Sequence, residues 1–284
     1  MILEDPNGTR VLYDPGRTVA GGTDSRLGDI DIILLSSVHS DHIGVGKLDQ
    51  DPDTAVVCAG NPPLAATPNS NLAEIAAAKG SNVIVGGEMR DFLRRKVAAE
   101  GGSSGQVDVL RHGGKRIVGG VTIAVIAAHH SNGVPRSLLN STAGGDGLAD
   151  ILAPDGLTAY VGPENGYVLT FSNGLVVYLS GDTGQTADMA MVVRDFYKAR
   201  VAVVNMGDIF SMGPEEAAFA VNKLIKPKTV IPSHANQAST TGGVVNGGTR
   251  LDTFINLVKK AKVIVPLSGV PITCDGKGKC TQGP

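Results

Sequence analysis

Residues 32–42 read Ile-Ile-Leu-Leu-Ser-Ser-Val-His-Ser-Asp-His and join an aliphatic run to a cluster of polar side chains. Four consecutive aliphatic residues predict a strand that is buried on both faces. His39, Asp41 and His42 follow this run directly. Such groups are costly to place beside a buried strand unless they are paired or bind a metal ion. The stretch therefore predicts a strand whose C-terminal end carries metal-ligating side chains.

The same arrangement recurs further along the chain, where other ligand-type side chains follow predicted strands. They are His129 and His130 after residues 121–128, Asp182 after residues 175–179, and His234 after residues 229–231. Each one alone is more often structural, and Gly-Asp-Thr-Gly alone is an ordinary turn. Because strand ends on one side of a sandwich converge, the four segments together predict one metal site. Imidazole and carboxylate ligands favour Zn²⁺, with Mn²⁺ or Fe²⁺ as alternatives.

The composition indicates a single layered domain. The chain has 284 residues, of which 42% are hydrophobic and only 4% aromatic, and it contains 38 Gly and 15 Pro. Strand–helix units with many tight turns predict an α/β fold, with two sheets packed face to face and helices outside. No linker is visible, so residues 1–284 are expected to form one domain. Residues 131–157 are predicted to be a long loop at the rim of the site, and residues 268–284 a C-terminal tail.

Charge and hydropathy exclude two classes of protein. A net charge of −2 argues against a dedicated nucleic-acid-binding protein, which usually carries a basic surplus. The most apolar stretch, residues 121–128, is too short to span a bilayer. The expected partner is a small-molecule substrate, without nucleic acid or membrane, and the oligomeric state is left open.

The cysteines leave the cellular compartment open. Cys58 is interpreted as a small buried hydrophobic residue. Cys274 and Cys280 flank a short Gly-rich loop and form either a disulfide or two free thiols, and a disulfide would require an oxidising compartment. No signal segment is visible at Met1, so the chain is cytoplasmic as written, or periplasmic or secreted if an N-terminal signal was removed.

The order of these motifs resembles the metallo-β-lactamase-fold hydrolase superfamily. The similarity covers roughly residues 10–267. Within the superfamily, the downstream motifs resemble the L-ascorbate-6-phosphate lactonase-like branch. Those motifs are Gly166-Tyr167-Val168, Ser180-Gly181-Asp182-Thr183-Gly184, Met206-Gly207-Asp208, residues 211–217 (Ser-Met-Gly-Pro-Glu-Glu-Ala) and residues 230–234 (Val-Ile-Pro-Ser-His). The resemblance implies a four-layer αββα sandwich.

The resemblance also implies two adjacent metal positions. The first would use the position of Ser37 together with His39 and His129. The second would use Asp41, His42 and His234, and Asp182 would bridge the two. His129 is preferred to His130 because related sequences read Ala-x-His-x-Ser, and His130 is the alternative.

The sequence departs from the family pattern in two places. Ser37 stands where the family has its first histidine, and a neutral hydroxyl is a poor zinc ligand. One or two ions are therefore expected, with the first position weak, empty, or completed by His130 or water. The family's first strand also has no counterpart before Met1.

The predicted function is that of a metal-dependent hydrolase. A metal-activated water would attack a small-molecule lactone, ester, amide or phosphoester, with Asp41 and Asp182 as the catalytic residues that orient it. The alternatives are a phosphodiesterase, a nuclease or a β-lactam hydrolase of the same fold. A further alternative is a metal-binding protein with little turnover, because Ser37 replaces the usual histidine.

Overall fold

Two β-sheets form the centre of the molecule. The computed structural model describes residues 1–17, 21–44 and 71–283. The first sheet contains β1 (Ile2–Glu4), β2 (Arg10–Tyr13), β3 (Ile32–Leu35), β4 (Asn82–Val85) and β5 (Val107–Val109), in that order. Strand β1 pairs antiparallel with β2, and the other neighbours are parallel.

The second sheet is larger and mixed. The remaining strands are β6 (Lys115–Val118), β7 (Val121–Ala127), β8 (Asn165–Thr170), β9 (Val176–Leu179), β10 (Val201–Asn205), β11 (Thr229–Ser233), β12 (Thr240–Thr241), β13 (Val244–Val245), β14 (Lys262–Val263), β15 (Ile272–Cys274) and β16 (Cys280–Gln282). Seven of them are ordered β14-β11-β10-β9-β8-β7-β6, whereas β12–β13 and β15–β16 form separate hairpins. Pairing is antiparallel from β6 to β9 and parallel from β9 to β14.

Helices cover the outer faces of both sheets. They are α1 (Ser40–Ile43), α2 (Asn71–Lys79), α3 (Met89–Ala99), α4 (Leu148–Leu152), the π-helix Met189–Phe196, α5 (Pro214–Phe219) continued by the π-helix Ala220–Ile225, and α6 (Arg250–Leu257). Short 3₁₀ turns lie at Ser104–Gln106, Arg136–Leu138 and Ala153–Asp155.

Strand β3 shows how the sequence produces these layers. All four of its residues are buried. Because successive side chains of a strand point to opposite faces, Ile32 and Leu34 enter the core between the sheets, whereas Ile33 and Leu35 enter the core beneath α2 and α3. A third core lies between the second sheet and helices α5 and α6. The predicted four-layer αββα sandwich is confirmed.

The structure differs from the sequence prediction at two segments. Residues 131–157 are more ordered than a long loop, because they include α4 and bury Val134, Leu138 and Leu139 in the core beneath α2 and α3. Residues 268–284 contain the β15–β16 hairpin, in which Cys274 and Cys280 form a disulfide. The predicted strand 54–58 and its Cys58 lie outside the described residues. Within the described parts of the chain, no helix has the length and apolar character needed to cross a membrane.

Candidate metal centre

The ends of four strands bring the ligand-type side chains to one rim of the sandwich. His39, Asp41 and His42 lie on and just before α1, which is separated from the end of β3 by four residues. Asp182 follows β9 and His234 follows β11. These two side chains are far from α1 in the sequence, yet both reach it: His42 contacts Asp182 and His234 contacts Asp41.

Asp41, His42, Asp182 and His234 form the first of two groups, which we call the inner cluster. His42 Nε2 lies 3.2 Å from Asp182 Oδ2 and 3.7 Å from Asp41 Oδ2. His234 Nε2 lies 3.0 Å from Asp41 Oδ2 and 3.3 Å from Asp182 Oδ2. Ligand atoms that each lie about 2.1 Å from a tetrahedral zinc ion are about 3.4 Å apart. The imidazole and carboxylate atoms in contact therefore have the donor types and the spacing of metal ligands, and Asp41, His42 and His234 each offer an atom within 4.8 Å of the other two.

Charge pairing dominates the inner cluster. Burial alone would raise the pKa of Asp41, but the hydrogen bond with His234 and the positive charges of His42 and His234 outweigh it and lower the pKa. Burial likewise opposes a raised pKa for His42, yet the Asp182 and Asp14 carboxylates raise it well above its usual value. The carboxylates thus favour positive charge on the imidazoles of the inner cluster. A divalent ion bound at the same place would be favoured by the same carboxylates.

Asp14 supports the inner cluster and was missed in the sequence. It follows β2, and its Oδ2 lies 2.9 Å from His42 Nδ1. Ser36 donates to the same carboxylate from its backbone N–H (2.8 Å) and from its hydroxyl (2.7 Å). A carboxylate that accepts from one ring nitrogen fixes the orientation of the imidazole and aims the other nitrogen at the ligand position. The available signal was the placement of Asp14 after a strand, as for the other site residues.

His39, His130 and Glu164 form the second group, which we call the outer cluster. One potential ligand atom from each residue lies within 4.8 Å of the other two. Glu164 Oε1 is 3.5 Å from His39 Nδ1 and 3.6 Å from His130 Nδ1. Glu164 was not identified from the sequence, because it precedes β8 instead of following a strand.

The structure places the His130 imidazole, and not the preferred His129, beside His39. The His129 side chain is exposed, whereas the His130 ring packs against His39 with 5.2 Å between ring centroids. The physical reason lies in the backbone: the His129 N–H donates to Thr183 Oγ1 and its carbonyl accepts from Gly184 N–H. These bonds tie the His129 main chain to the loop after β9, and the next residue carries the inward-facing imidazole.

Ser37 is fully buried, and its hydroxyl is engaged by the groups around it. Its hydroxyl accepts from the His39 backbone N–H (3.1 Å) and makes a long contact to Asn132 Oδ1 (3.4 Å). Asn132 Oδ1 also accepts from the Val38 backbone N–H at 2.9 Å. Ser37 and Asn132 therefore hold the turn between β3 and α1, which sets the position of His39.

Glycines allow close packing of the backbone beside the inner cluster. A Cβ on Gly207 would lie 2.4 Å from the His234 carbonyl oxygen and 2.6 Å from Asn236 Nδ2. Gly181, which precedes Asp182, has a φ of 63°, and its Cβ would lie 2.6 Å from the Asn165 carbonyl oxygen. Larger residues at either position would displace the loops that carry His234 and Asp182.

Comparison with known proteins identifies the family of this chain. Residues 1–234 match the beta-lactamase superfamily domain. A UPF0173 metal-dependent hydrolase of Pelotomaculum thermopropionicum is 32% identical over 206 residues, which cover 72% of this chain and 67% of the relative.

Solved structures establish the fold. Igni18, described as a novel metallo hydrolase from the archaeon Ignicoccus hospitalis, aligns with a TM-score of 0.57 and 18% identity over 99% of this chain and 97% of its own. The metallo-beta-lactamase fold protein YhfI of Bacillus subtilis aligns with a TM-score of 0.51 and 13% identity over 97% of this chain and 87% of its own. The chain thus has the metallo-β-lactamase fold and belongs to the β-lactamase superfamily, among the UPF0173 metal-dependent hydrolases.

Proposed function

We propose that this protein hydrolyses a small-molecule lactone, ester, amide or phosphoester with water activated at the metal centre. The observation that carries this proposal is the inner cluster, in which two imidazoles and two carboxylates present atoms 3.0–3.7 Å apart at the rim of the sandwich. Their donor types favour Zn²⁺, with Mn²⁺ or Fe²⁺ as alternatives. A divalent ion held there supplies Lewis acidity, which activates water and polarises the oxygen of the electrophile.

The chain's own residues would orient the reacting groups. Asp182 is 4% exposed, and its Oδ2 lies close to both His42 Nε2 and His234 Nε2, so this carboxylate is held from two sides. Asp41 is more accessible and accepts from His234 Nε2. We assign Asp41 to orienting the attacking water and Asp182 to holding the ligand set.

Ile209 and Phe210 form an exposed apolar rim on the loop after β10, which favours a substrate with an apolar part. Ile209 and Phe210 are 83% and 68% exposed, and Asp208 and Ile209 both have left-handed backbone angles. The loop is tied to the site because Met212 N–H donates to the carbonyl of Thr183, the residue after Asp182. A β-branched residue held at positive φ indicates a loop whose conformation is imposed by its surroundings. An exposed apolar pair in this place supports ester or lactone substrates over highly charged phosphodiesters.

A substrate panel tests the proposal. Protein loaded with Zn²⁺ or Mn²⁺ is assayed against lactones, carboxylic esters of increasing acyl length, amides, phosphodiesters and β-lactams. We expect metal-dependent turnover of an ester or lactone, with kcat/KM rising with acyl length. The Phe210→Ala variant should raise KM more than it lowers kcat, because the lost contact binds substrate and transition state alike.

Stripping the metal provides the decisive control. Turnover should disappear after chelation and return when the ion is added back. Turnover that persists in metal-free protein would refute the proposal. Activity confined to phosphodiesters would refute the role given to the apolar rim while leaving metal-dependent hydrolysis intact.

A further inference from the structure

Glu164 is a carboxylic acid buried in an unusual place. Its side chain is fully buried, and beyond the approach of the Ser37 hydroxyl neither carboxylate oxygen has a hydrogen-bond partner within the described part of the chain. Buried carboxylates are strongly destabilising unless they are paired or bind a cation. Its neighbours are the His39 and His130 imidazoles, both at distances longer than a hydrogen bond.

Those distances are too long for hydrogen bonds but suit a shared ion. Glu164 Oε1 lies 3.5 Å from His39 Nδ1 and 3.6 Å from His130 Nδ1. Two ligands of one tetrahedral zinc ion are separated by about 3.4 Å. His130 Nδ1 also lies 2.8 Å from the Ser131 carbonyl, to which it donates in this structure, so binding an ion through this atom requires it to release that proton. The two rings and the carboxylate are thus spaced as ligands rather than as hydrogen-bonded partners.

The position of Ser37 explains why a carboxylate is available here. The Ser37 hydroxyl lies within hydrogen-bonding reach of the Glu164 carboxylate, and it also accepts from the His39 backbone N–H and contacts Asn132. A serine occupies far less volume than an imidazole, so the Glu164 side chain can occupy the space beside it. The ligand lost at the end of β3 is thereby matched by one gained at the start of β8.

We propose that Glu164 replaces the missing histidine as the third ligand of a metal position formed with His39 and His130. The chain then holds two ions, one in the inner cluster and one in the outer cluster. The inference rests on the proposed function only in requiring a metal centre at this rim. It predicts a different stoichiometry from the expectation that Ser37 leaves the first position weak.

Ion binding by the full chain tests the proposal without any substrate. Wild type, Glu164→Gln and the exposed control Glu88→Gln are stripped of metal and titrated with Zn²⁺ by calorimetry. Bound metal is then counted by mass spectrometry after dialysis. We expect two equivalents in wild type and in Glu88→Gln. We expect one tight equivalent in Glu164→Gln, with affinity for the second ion reduced about 100-fold or more, as expected when a direct ligand is lost.

A compensating variant separates ligation from a packing effect. Removing the carboxylate and restoring an imidazole, as in Ser37→His combined with Glu164→Ala, should recover the second equivalent that Glu164→Ala alone loses. The remaining tight equivalent in the single variants reports that the inner cluster, and hence the fold, is intact. Cobalt(II) absorption spectra of the same proteins should show one fewer occupied position in Glu164→Gln.

The ion-binding results distinguish a failure of the Glu164 assignment from a failure of the proposed function. A single equivalent in wild type, or two unchanged equivalents in Glu164→Gln, would overturn the proposal. Two equivalents without any hydrolytic activity would leave the ligand assignment standing and refute the proposed function instead.

Discussion

The inner and outer clusters contain similar chemical groups but differ in how those groups are supported. In the inner cluster, imidazoles alternate with carboxylates at hydrogen-bonding distance, and Asp14 holds His42 from behind. In the outer cluster, the Glu164 carboxylate has only the Ser37 hydroxyl within hydrogen-bonding reach among the described residues, and both imidazoles lie 3.5–3.6 Å from it. The inner cluster is therefore organised without an ion, whereas the outer cluster leaves a buried charge that only a cation or a proton can neutralise.

This difference indicates the order in which ions bind. A preorganised ligand set loses little conformational freedom on binding, so the inner cluster should have the higher affinity. An ion in the outer cluster should stabilise the fold more than one in the inner cluster, because it neutralises the buried Glu164 carboxylate. The inner cluster should therefore bind its ion more tightly, whereas ion binding at the outer cluster should be coupled to the stability of the fold.

Removing a ligand from the inner cluster should have the largest effect. We expect His234→Ala to lower the affinity for the tight ion more than about 100-fold, since even supporting groups contribute 10–100-fold. Turnover should fall below detection with it. Metal content after dialysis and kcat/KM measure the two effects.

The exposed His129 provides the control for this experiment. His129→Ala should retain the wild-type metal content, because its side chain lies outside both clusters. A loss of metal in His129→Ala equal to that in His130→Ala would contradict the assignment of His130 to the outer cluster.

The second prediction concerns the pH dependence of stability in metal-free protein. Burial raises the pKa of Glu164 from 4.5 to about 8, so the folded protein keeps a proton that the unfolded chain has already lost. The stabilisation that this retained proton provides is fully present below the pKa that Glu164 has in the unfolded chain. It is lost as the pH rises towards the pKa of Glu164 in the folded protein. The free energy of unfolding should fall by up to about 1.4 kcal/mol per pH unit across this window.

Other groups titrate near Glu164. The prediction therefore concerns the difference in unfolding free energy between wild type and Glu164→Gln. Burial, His42 and His130 lower the pKa of His39 to about 4, and the carboxylates outweigh burial to raise the pKa of His234. Both groups are present in wild type and in Glu164→Gln. Subtracting urea unfolding curves of the two, recorded with chelator from pH 5 to pH 8, leaves the contribution of Glu164. Parallel stability profiles would show that Glu164 does not titrate in this range.

Asp14 offers a smaller test that is confined to the inner cluster. Asp14→Asn keeps the shape of the side chain but removes the charge that orients His42. We expect a 10–100-fold loss of affinity at the tight position, the range typical of supporting carboxylates. Zinc titration measures it, with the exposed Asp155→Asn as control. An equal loss at both positions would indicate a general change of the fold rather than an effect on His42.

The sequence could predict the fold and the inner cluster because both depend on local patterns. The aliphatic run 32–35 and the polar residues after it are contiguous, and Asp182 and His234 follow equally clear strands. Their convergence requires only the rule that strand ends meet at one edge. Edge strands such as β5 and β6 were missed because partly exposed edges lack a continuous apolar run.

The outer cluster could not be predicted in the same way. Glu164 directly precedes a strand of the second sheet, and it comes close to His39 only because the two sheets pack against each other. The choice between His129 and His130 depends on backbone hydrogen bonds to the loop after β9, which a motif cannot reveal. Contacts between residues far apart in the sequence decide both positions.

The smallest predicted effect is a weaker outer ion in His112→Ala, with no change at the inner cluster. His112 Nε2 lies 3.1 Å from the Glu164 carbonyl oxygen and 3.0 Å from Asn165 Oδ1, so this histidine holds the turn that carries Glu164. A neutral hydrogen bond contributes about 0.5–1.5 kcal/mol, and His112→Ala should therefore weaken the outer ion by about threefold to tenfold. The inner ion should bind as before, because His112 contacts none of its ligands within the described chain. His112→Gln, whose amide can still donate, should recover most of the loss in the same titration. Equal weakening of both ions would show that the two clusters respond as one unit, and the distinction between them would then fail.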